Sequence, residues 1–342
     1  MNIQTFPYTF LLNHAFNLAI HRRTTTPAVF LKLELNGITA WGEASLPPYL
    51  GETQESVIEF IESFPWKTIS PETSVQEFHL YLDQHKSGNN AAKACMDIAW
   101  HDFQAKQNQQ SCMDFLNILI SPTIPSSFTI GIHPPDLVQT IASQNKDFLR
   151  FKLKLGGNQD REMIRAIRKI SQLPICVDVN QGWSNLDQAQ TELEWLATQN
   201  VILAEQPFPK EWLEESSKLK SISPIPIFGD ESVQRLSDLE FAANAFHGIN
   251  VKLMKATGIL EAKLMIEMAK SLNLKVLLGS MTESSLATQA ANCLSPLVDF
   301  VDLDGPWLIN NNPCPIPSID HGIIQPSKGW GFGVEPILNK ES

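Results

Sequence analysis

The chain of 342 residues carries 26 Lys and Arg against 37 Asp and Glu, a net charge of −11 at pH 7. That charge makes it a poor partner for a nucleic-acid backbone. No run of about 20 apolar residues is present to cross a membrane, and the N-terminal stretch lacks the basic start and small-residue cleavage site of a secretory signal. Hydrophobic residues at 43% are ample for a core, and the length suits two domains or one large barrel at roughly 150 residues per domain. Cys95, Cys112, Cys176, Cys293 and Cys314 are odd in number and form no C-x-x-C, which argues against a disulfide framework or a Cys-rich zinc site. The expectation is a reduced, cytoplasmic, globular protein.

Residues 1 to 122 read as α+β. Alternating apolar segments at Asn2–Leu11, Ala28–Glu34 and Ile38–Glu43, with a turn at Asn36–Gly37, predict an antiparallel meander. Helical spacing follows at Gln54–Ile61, Ser74–Gln84 and Asn90–Gln107. From residue 123 to 319 the texture changes. Short strand-like segments recur at Phe128–Ile132, Arg150–Lys154, Ile175–Val179, Val201–Ala204, Pro226–Phe228, Ile249–Lys252, Lys275–Leu278 and Phe300–Asp302. Their interval is roughly 22 to 26 residues, and a helix-length segment such as Arg161–Ser171, Asn185–Gln199 or Ile259–Leu272 fills the gaps. This predicts an α/β fold, a (β/α)7β TIM-like barrel behind an N-terminal α+β capping domain. An open doubly wound sheet would favour a Gly-rich turn after its first strand, and none is present. The last strand runs into Pro- and Asn-rich loop, and residues 320–342 are expected to return to the capping domain.

Chemistry in such a barrel sits at the carboxyl ends of the strands. The second strand ends Lys152-Leu153-Lys154, the third Asp178-Val179-Asn180, the fourth at Glu205, the fifth at Asp230, the sixth at Lys252 and the eighth in Asp302-Leu303-Asp304. The side-chain period of two puts Lys152 with Lys154, Asp178 with Asn180, and Asp302 with Asp304 on shared faces. Taken singly, an Asp after a strand is ordinarily a helix N-cap and a Lys there is ordinarily solvated. Three acids on three consecutive strands, with lysines on either side, need a common explanation. Asp178, Glu205 and Asp230 make a hard, all-oxygen site suited to one Mg²⁺ per subunit, with Mn²⁺ as substitute, and poorly suited to zinc. The eight histidines show no ligand spacing and read mostly as surface or packing residues.

Strands two and six face each other across an eight-stranded ring, so Lys154 and Lys252 flank the metal position from opposite sides. Strand eight faces strand four, which sets Asp302 and Asp304 across from Glu205. Two opposed bases suit 1,1-proton transfer: one removes an α-proton and the other returns a proton to the opposite face, while the metal stabilises the enediolate. The removing lysine must be neutral, and the charges of Lys152 and Mg²⁺ should lower its pKa. Lys152 would also donate to the developing oxyanion. A substrate with its carboxylate on the metal and a cation at the strand-eight acids fits the length of a dipeptide.

These residues resemble the enolase superfamily, and within it the muconate-lactonizing-enzyme subgroup, over nearly the whole chain. The Lys-x-Lys is matched by Lys152 and Lys154, the metal ligands by VDVNQGW, AEQP and GDES, and the strand-six lysine by Lys252 in NVKLMKATG, in preference to Lys255. Sites of this superfamily combine Mg²⁺ with a Lys or His base and stabilise an enediolate, so the resemblance implies the same chemistry here. The VDLDGP and GSMTESSLA segments are similar to those of dipeptide epimerases, whose Asp-x-Asp holds the substrate ammonium. The resemblance implies an isomerase that epimerises the C-terminal residue of a dipeptide, with Lys154 and Lys252 catalytic. It implies substrate contacts from Lys152, Asn180, Asp302, Asp304, Thr129, Met281 and His21.

Side-chain choice is expected from capping loops near Asn13–Thr26 and Ala44–Thr53. Ala-Glu epimerases of the family pair the glutamate with a loop arginine; the aligned residue here is His21, followed by Arg22 and Arg23. The second loop, Leu46-Pro47-Pro48-Tyr49, is fairly apolar. Small or hydrophobic dipeptides, Ala-Ala or Ala-Xaa, are therefore favoured, with L-Ala-D/L-Glu epimerisation as the alternative. Cycloisomerase or o-succinylbenzoate synthase activity on the same scaffold would leave the acidic pair without a use, and a non-catalytic ligand-binding barrel would need no neutral lysine. The expected partner is a small dipeptide, with no nucleic acid and no membrane; a homo-oligomer is compatible with the sequence.

Overall fold

The computed structural model describes residues 1–17, 22–119 and 124–338. His21 therefore lies outside the described residues. The N-terminal part is a three-stranded antiparallel sheet of β1 (Asn2–Asn17), β2 (Arg22–Leu35) and β3 (Ile38–Ser45), in that order. Asn36 (φ 51°) and Gly37 (φ 78°) make the tight turn between β2 and β3, both positive as a two-residue hairpin requires. Helices α1 (Gln54–Ser63), α2 (Val75–His85) and α3 (Asn90–Gln107) follow. The first two begin in capping boxes, Thr53 with Ser56 and Ser74 with Glu77, which satisfy otherwise orphaned amide donors. Most of α3 is buried, and its main contact is with β3.

β1 is longer than its apolar alternation predicts. It runs to Asn17 and pairs to the end with β2, Phe16 opposite Arg23, after a register shift beyond Leu11. Most of the expected loop Asn13–Thr26 is thus a two-stranded ribbon. The β-branched run Thr24-Thr25-Thr26 favours extension, and the shift is where strict alternation stops being readable.

The second part is an eight-stranded parallel sheet in sequential order: β4 (Phe128–Ile130), β5 (Phe151–Lys154), β6 (Ile175–Asp178), β7 (Val201–Glu205), β8 (Ile227–Gly229), β9 (Gly248–Val251), β10 (Lys275–Gly279) and β11 (Phe300–Asp302). A parallel bridge from Ser126 to Val301, with Ser127 N donating to Val301 O (3.0 Å), closes the ring. A short α4 (Cys112–Phe115) precedes β4. Between the strands lie α5 (Pro135–Gln144), α6 (Asp160–Arg168), α7 (Leu186–Ala197), α8 (Leu213–Ile222), α9 (Leu239–Ala245), α10 (Ile259–Ser271) and α11 (Ser285–Asn292). One helix thus fills each gap between consecutive strands, the (β/α)7β arrangement. Beyond β11 there is one short turn of helix, α12 (Gly305–Leu308), where sequence suggested only loop; Pro306 in its first turn supplies the preset φ.

Inside the barrel Cys176, Leu203, Phe228 and Leu277 form an apolar plug. Two residues beyond the first three of these stand Asp178, Glu205 and Asp230. The same period that fills the barrel floor therefore delivers the acids to its mouth. The C-terminal stretch runs back to α3: Phe332 N donates to Asp102 Oδ1 (3.1 Å), Lys106 pairs with Glu335 (3.0 Å), and Cys112 N donates to Gly331 O (2.8 Å). All five cysteines are buried and unpaired. No helix among the described residues is long and apolar enough to cross a membrane.

Candidate active site

Asp178, Glu205 and Asp230 are buried, and one carboxylate oxygen of each lies within 4.8 Å of the others. Lysines from both sides compensate them. Lys154 Nζ donates to Asp178 Oδ2 (2.6 Å) and Lys252 Nζ to Asp230 Oδ2 (2.7 Å). Lys152 Nζ lies 2.7 Å from Glu205 Oε2, 2.9 Å from Asp302 Oδ2 and 3.6 Å from Asp178 Oδ2. Lys154 comes from β5 and Lys252 follows β9, four strands apart in the ring, so they approach the triad from opposite sides.

Burial dominates the electrostatics. It pushes Glu205 up to about 8, helped by the Asp178 charge. It works equally against Asp178 and Asp230, yet the adjacent lysine charges hold both below the ordinary carboxylate range. Burial also opposes the charge on Lys152 and Lys252, but the surrounding carboxylates win, and both ammonium groups are held above their ordinary pKa; for Lys252 this is the reverse of the lowering expected of a base, because the carboxylate charges beside it together outweigh burial. Glu205 Oε2 is buried without a well-aligned hydrogen bond. Three convergent, buried carboxylates with no His or Cys among them fit a hard divalent cation such as Mg²⁺ or Mn²⁺.

Asp302 and Asp304 stand at the same mouth. Asp302 Oδ1 accepts from Thr129 Oγ1 (3.4 Å), and Asp304 Oδ2 from Thr129 N (2.5 Å). Burial, with the Asp302 charge, raises Asp304 to about 7. A small cavity of about 40 Å³ is lined by Lys152, Lys154, Asn180, Asp230, Lys252, Thr129, Met281, Asp302 and Asp304, with Phe16, Arg23 and Tyr49 from the N-terminal part. Most of the residues expected at the site from sequence thus face one space, with Asp178 and Glu205 beneath it.

Residues 136–340 match the family described as enolase C-terminal domain-like, and residues 3–117 match the mandelate racemase / muconate lactonizing enzyme N-terminal domain. The chain is 40% identical to an L-Ala-D/L-Glu epimerase of Bacteroides thetaiotaomicron over 98% of its own length and 88% of that protein. The chain belongs to the enolase superfamily. It is also 32% identical to a hydrophobic dipeptide epimerase of a Flavobacteria bacterium, covering 94% of this chain and 95% of the other. A dipeptide epimerase from Cytophaga hutchinsonii, solved with Mg and D-Ala-L-Val, superposes with a TM-score of 0.91 at 26% identity, over 98% of this chain and 95% of that one.

On this enolase-superfamily scaffold a second layer aims the acids, and spacing alone does not point to it. Asn250 Nδ2 donates to Glu205 Oε1 (2.7 Å), and a Cβ at Gly279 would collide with the Asn250 amide. The Gln206 side-chain oxygen accepts from Asp230 N (2.9 Å) and Ser232 N (3.2 Å), with Gln206 held at φ 38°. Asp178 Oδ1 accepts from Asn180 N (3.0 Å), with Asn180 at φ 47°. Lys255 is not a cavity residue. Its Nζ is 2.5 Å from Asp230 Oδ1 and donates to Asp230 O, Val233 O and Asn250 O at 2.7 to 2.9 Å, locking Asp230 from behind. Burial holds its pKa below the ordinary value against the pull of Asp230.

Two cap residues also emerge. Arg23 Nη2 donates to Thr282 Oγ1 (3.0 Å), its guanidinium lies 5.3 Å from the Phe16 ring centroid, and its Nε is buried without a hydrogen bond among the described residues. Burial lowers its pKa. Tyr49 is 43% exposed overall, but its hydroxyl turns inward to Met281 Sδ (2.6 Å), and desolvation of that hydroxyl pushes it up to about 12.

Elsewhere His79, Asp83 and Glu261 converge, but Lys93 and Arg235 already neutralise this cluster: Lys93 to Asp83 at 2.8 Å, Arg235 to Asp83 at 2.9 Å and to Glu261 at 2.6 Å. His79 Nδ1 is 3.6 Å from Asp97, and His101 Nδ1 is 3.2 Å from the same residue. These two histidines therefore serve an ion-pair network joining α2 and α3 to α10, a role their spacing does not reveal.

Proposed function

We propose that the chain is a Mg²⁺-dependent dipeptide epimerase acting by 1,1-proton transfer at the α-carbon of the C-terminal residue. The observation that supports this reading best is the approach of Lys154 and Lys252 to one carboxylate triad from opposite strands. Asp178, Glu205 and Asp230 would hold the cation, Mg²⁺ or in its place Mn²⁺, which supplies Lewis-acid stabilisation of charge developing on the substrate carboxylate. Lys154 and Lys252 are the two proton carriers, one on each face of the α-carbon. Lys152 donates to the oxygen that becomes negative. Asp302 and Asp304, placed by Thr129, bind the substrate ammonium, which separates this reaction from cycloisomerisation of amine-free acids. Asn180, Met281 and, by the family resemblance, His21 complete the substrate contacts. The same reading divides the chain into a capping unit, residues 1–122 with 320–342, over a catalytic barrel, residues 123–319. It places the enzyme in the cytoplasm, where buried free thiols persist.

Two observations bear on the second residue. Tyr49 and Met281 give the cavity an apolar wall suited to a small or hydrophobic second residue. Arg23 gives a guanidinium in the cavity with no carboxylate partner among the described residues, and burial of an unpaired cation is costly; this favours an acidic second residue, and the 40% identical Bacteroides relative is an L-Ala-D/L-Glu epimerase. Deuterium exchange into Ala-Glu, Ala-Leu and Ala-Ala, by the native enzyme and by Arg23→Met, separates them. The acidic reading predicts that Arg23→Met lowers kcat/KM for Ala-Glu by about tenfold to a hundredfold and leaves Ala-Leu nearly unaffected. Equal effects on both would leave the apolar reading.

A further inference from the structure

A larger cavity, about 260 Å³, adjoins the catalytic one and shares Phe16, Thr129 and Leu308 with it. Nothing in the proton-transfer chemistry uses this space. Its walls combine apolar side chains, from Phe128, Ile130, Ile141 and Trp307, with uncharged or weakly basic polar ones, from Asn13, His14, His133, Gln144 and Asn145. Among the described residues, none that lines it is an Asp, Glu, Lys or Arg. The space is built rather than incidental. Trp307 is fixed edge-on against Phe148 (5.4 Å between centroids, 89°), and Asn13 Nδ2 donates to Trp307 O (2.9 Å), tying the end of β1 to α12.

We propose that this cavity is the subsite for the side chain of the substrate's first residue, and that it takes a large, uncharged side chain. The inference rests on the epimerase reading above. Thr129 stands where the two spaces meet. Its backbone N–H and hydroxyl orient Asp304 and Asp302, so an ammonium bound by those acids lies against Thr129. The α-carbon bearing that ammonium also bears the first side chain. On one side of Thr129 is the small lysine-lined space; on the other is the larger cavity. An alanine methyl would leave most of that cavity unfilled, whereas a leucine or phenylalanine side chain would bury its apolar surface against Phe128, Ile141 and Trp307. A lysine or glutamate side chain would meet no Asp, Glu, Lys or Arg among the described lining residues, so its desolvation would go uncompensated by an ion pair there, which costs binding.

The test is a panel of dipeptides, Ala-, Leu-, Phe-, Lys- and Glu- at the first position, each made with Glu and with Leu at the second. Deuterium incorporation at the second α-carbon is followed with Mg²⁺ present. The proposal predicts kcat/KM at least about tenfold higher for Leu- or Phe-first substrates than for Ala-first, with Lys- and Glu-first below both. Filling the cavity with Ile141→Trp, or separately with Ala15→Leu, should lower the Phe-first to Ala-first ratio by about tenfold in a variant whose melting temperature shows it folded. Ala-first substrates equalling or exceeding Leu- and Phe-first, or an unchanged ratio in both folded variants, would overturn the subsite while leaving the epimerase reading in place. Exchange into none of the dipeptides would remove the epimerase reading, and the subsite with it.

Discussion

Lys154 and Lys252 reach the same triad from strands four apart, one through Asp178 Oδ2 at 2.6 Å and the other through Asp230 Oδ2 at 2.7 Å. A proton carrier on each side of one substrate carbon is what inversion at that carbon requires. Replacing either with methionine keeps the length of the side chain and removes the base. Each single variant should lose epimerisation by about 10²–10⁴-fold, yet still exchange the α-proton of one epimer. Lys154→Met and Lys252→Met should retain opposite epimers. Chiral chromatography with deuterium counting reads both quantities at once.

The strand-eight acids make a separable prediction. Asp302→Asn and Asp304→Asn should raise KM for a free dipeptide by about tenfold to a hundredfold, the range expected for one charged hydrogen bond. N-acetylation of the same dipeptide removes the ammonium, so the variants should lose their disadvantage on it. A comparable penalty on the acetylated substrate would assign the acids a purely structural part.

Removal of divalent metal should abolish exchange, and Mg²⁺ or Mn²⁺ should restore it. Because the cation binds the folded triad, its addition should also raise the melting temperature in proportion to the logarithm of its concentration above Kd. Glu205→Gln should weaken that shift without substrate present. A full shift in Glu205→Gln would place the cation elsewhere.

The network behind α10 predicts a pH dependence of stability remote from catalysis. His79 is raised from 6.5 to about 9: burial opposes its charge, but Asp97 and Glu261 outweigh it. Glu261 is lowered from 4.5 to about 2, burial being overcome by His79 and Arg235. The His79 contribution is complete below about pH 6.5 and is lost as pH rises through about 9. The Glu261 contribution is complete above about pH 4.5 and is lost as pH falls through about 2. Melting temperature should therefore fall by several degrees from pH 6.5 to 9, and His79→Gln should flatten that limb.

The convergence of acids and lysines at the barrel mouth was legible because strand period and strand interval are both local properties. Asp178, Glu205 and Asp230 each sit two residues beyond a plug residue on their own strand, and Lys152 and Lys154 share a face on theirs. The supporting layer was not legible, because its partners meet only through the closed ring. Asn250 reaches Glu205 from 45 residues away, and Asp97 accepts from Ile259 N across 162 residues to cap α10. The length of β1 was missed because the register shift past Leu11 breaks the alternation that marks a strand. Arg23 belongs to the same stretch: read as loop it had no defined direction, and paired opposite Phe16 it reaches the cavity.

Proton transfer between two opposed lysines is tested most directly by incubating the native protein in D₂O with Mg²⁺ and a pooled dipeptide library, then reading mass and chirality. The expected result is a one-dalton gain confined to the second α-carbon, with both epimers recovered from either starting epimer. A folded, metal-bound protein that labels no dipeptide, or labels without inverting, would contradict it.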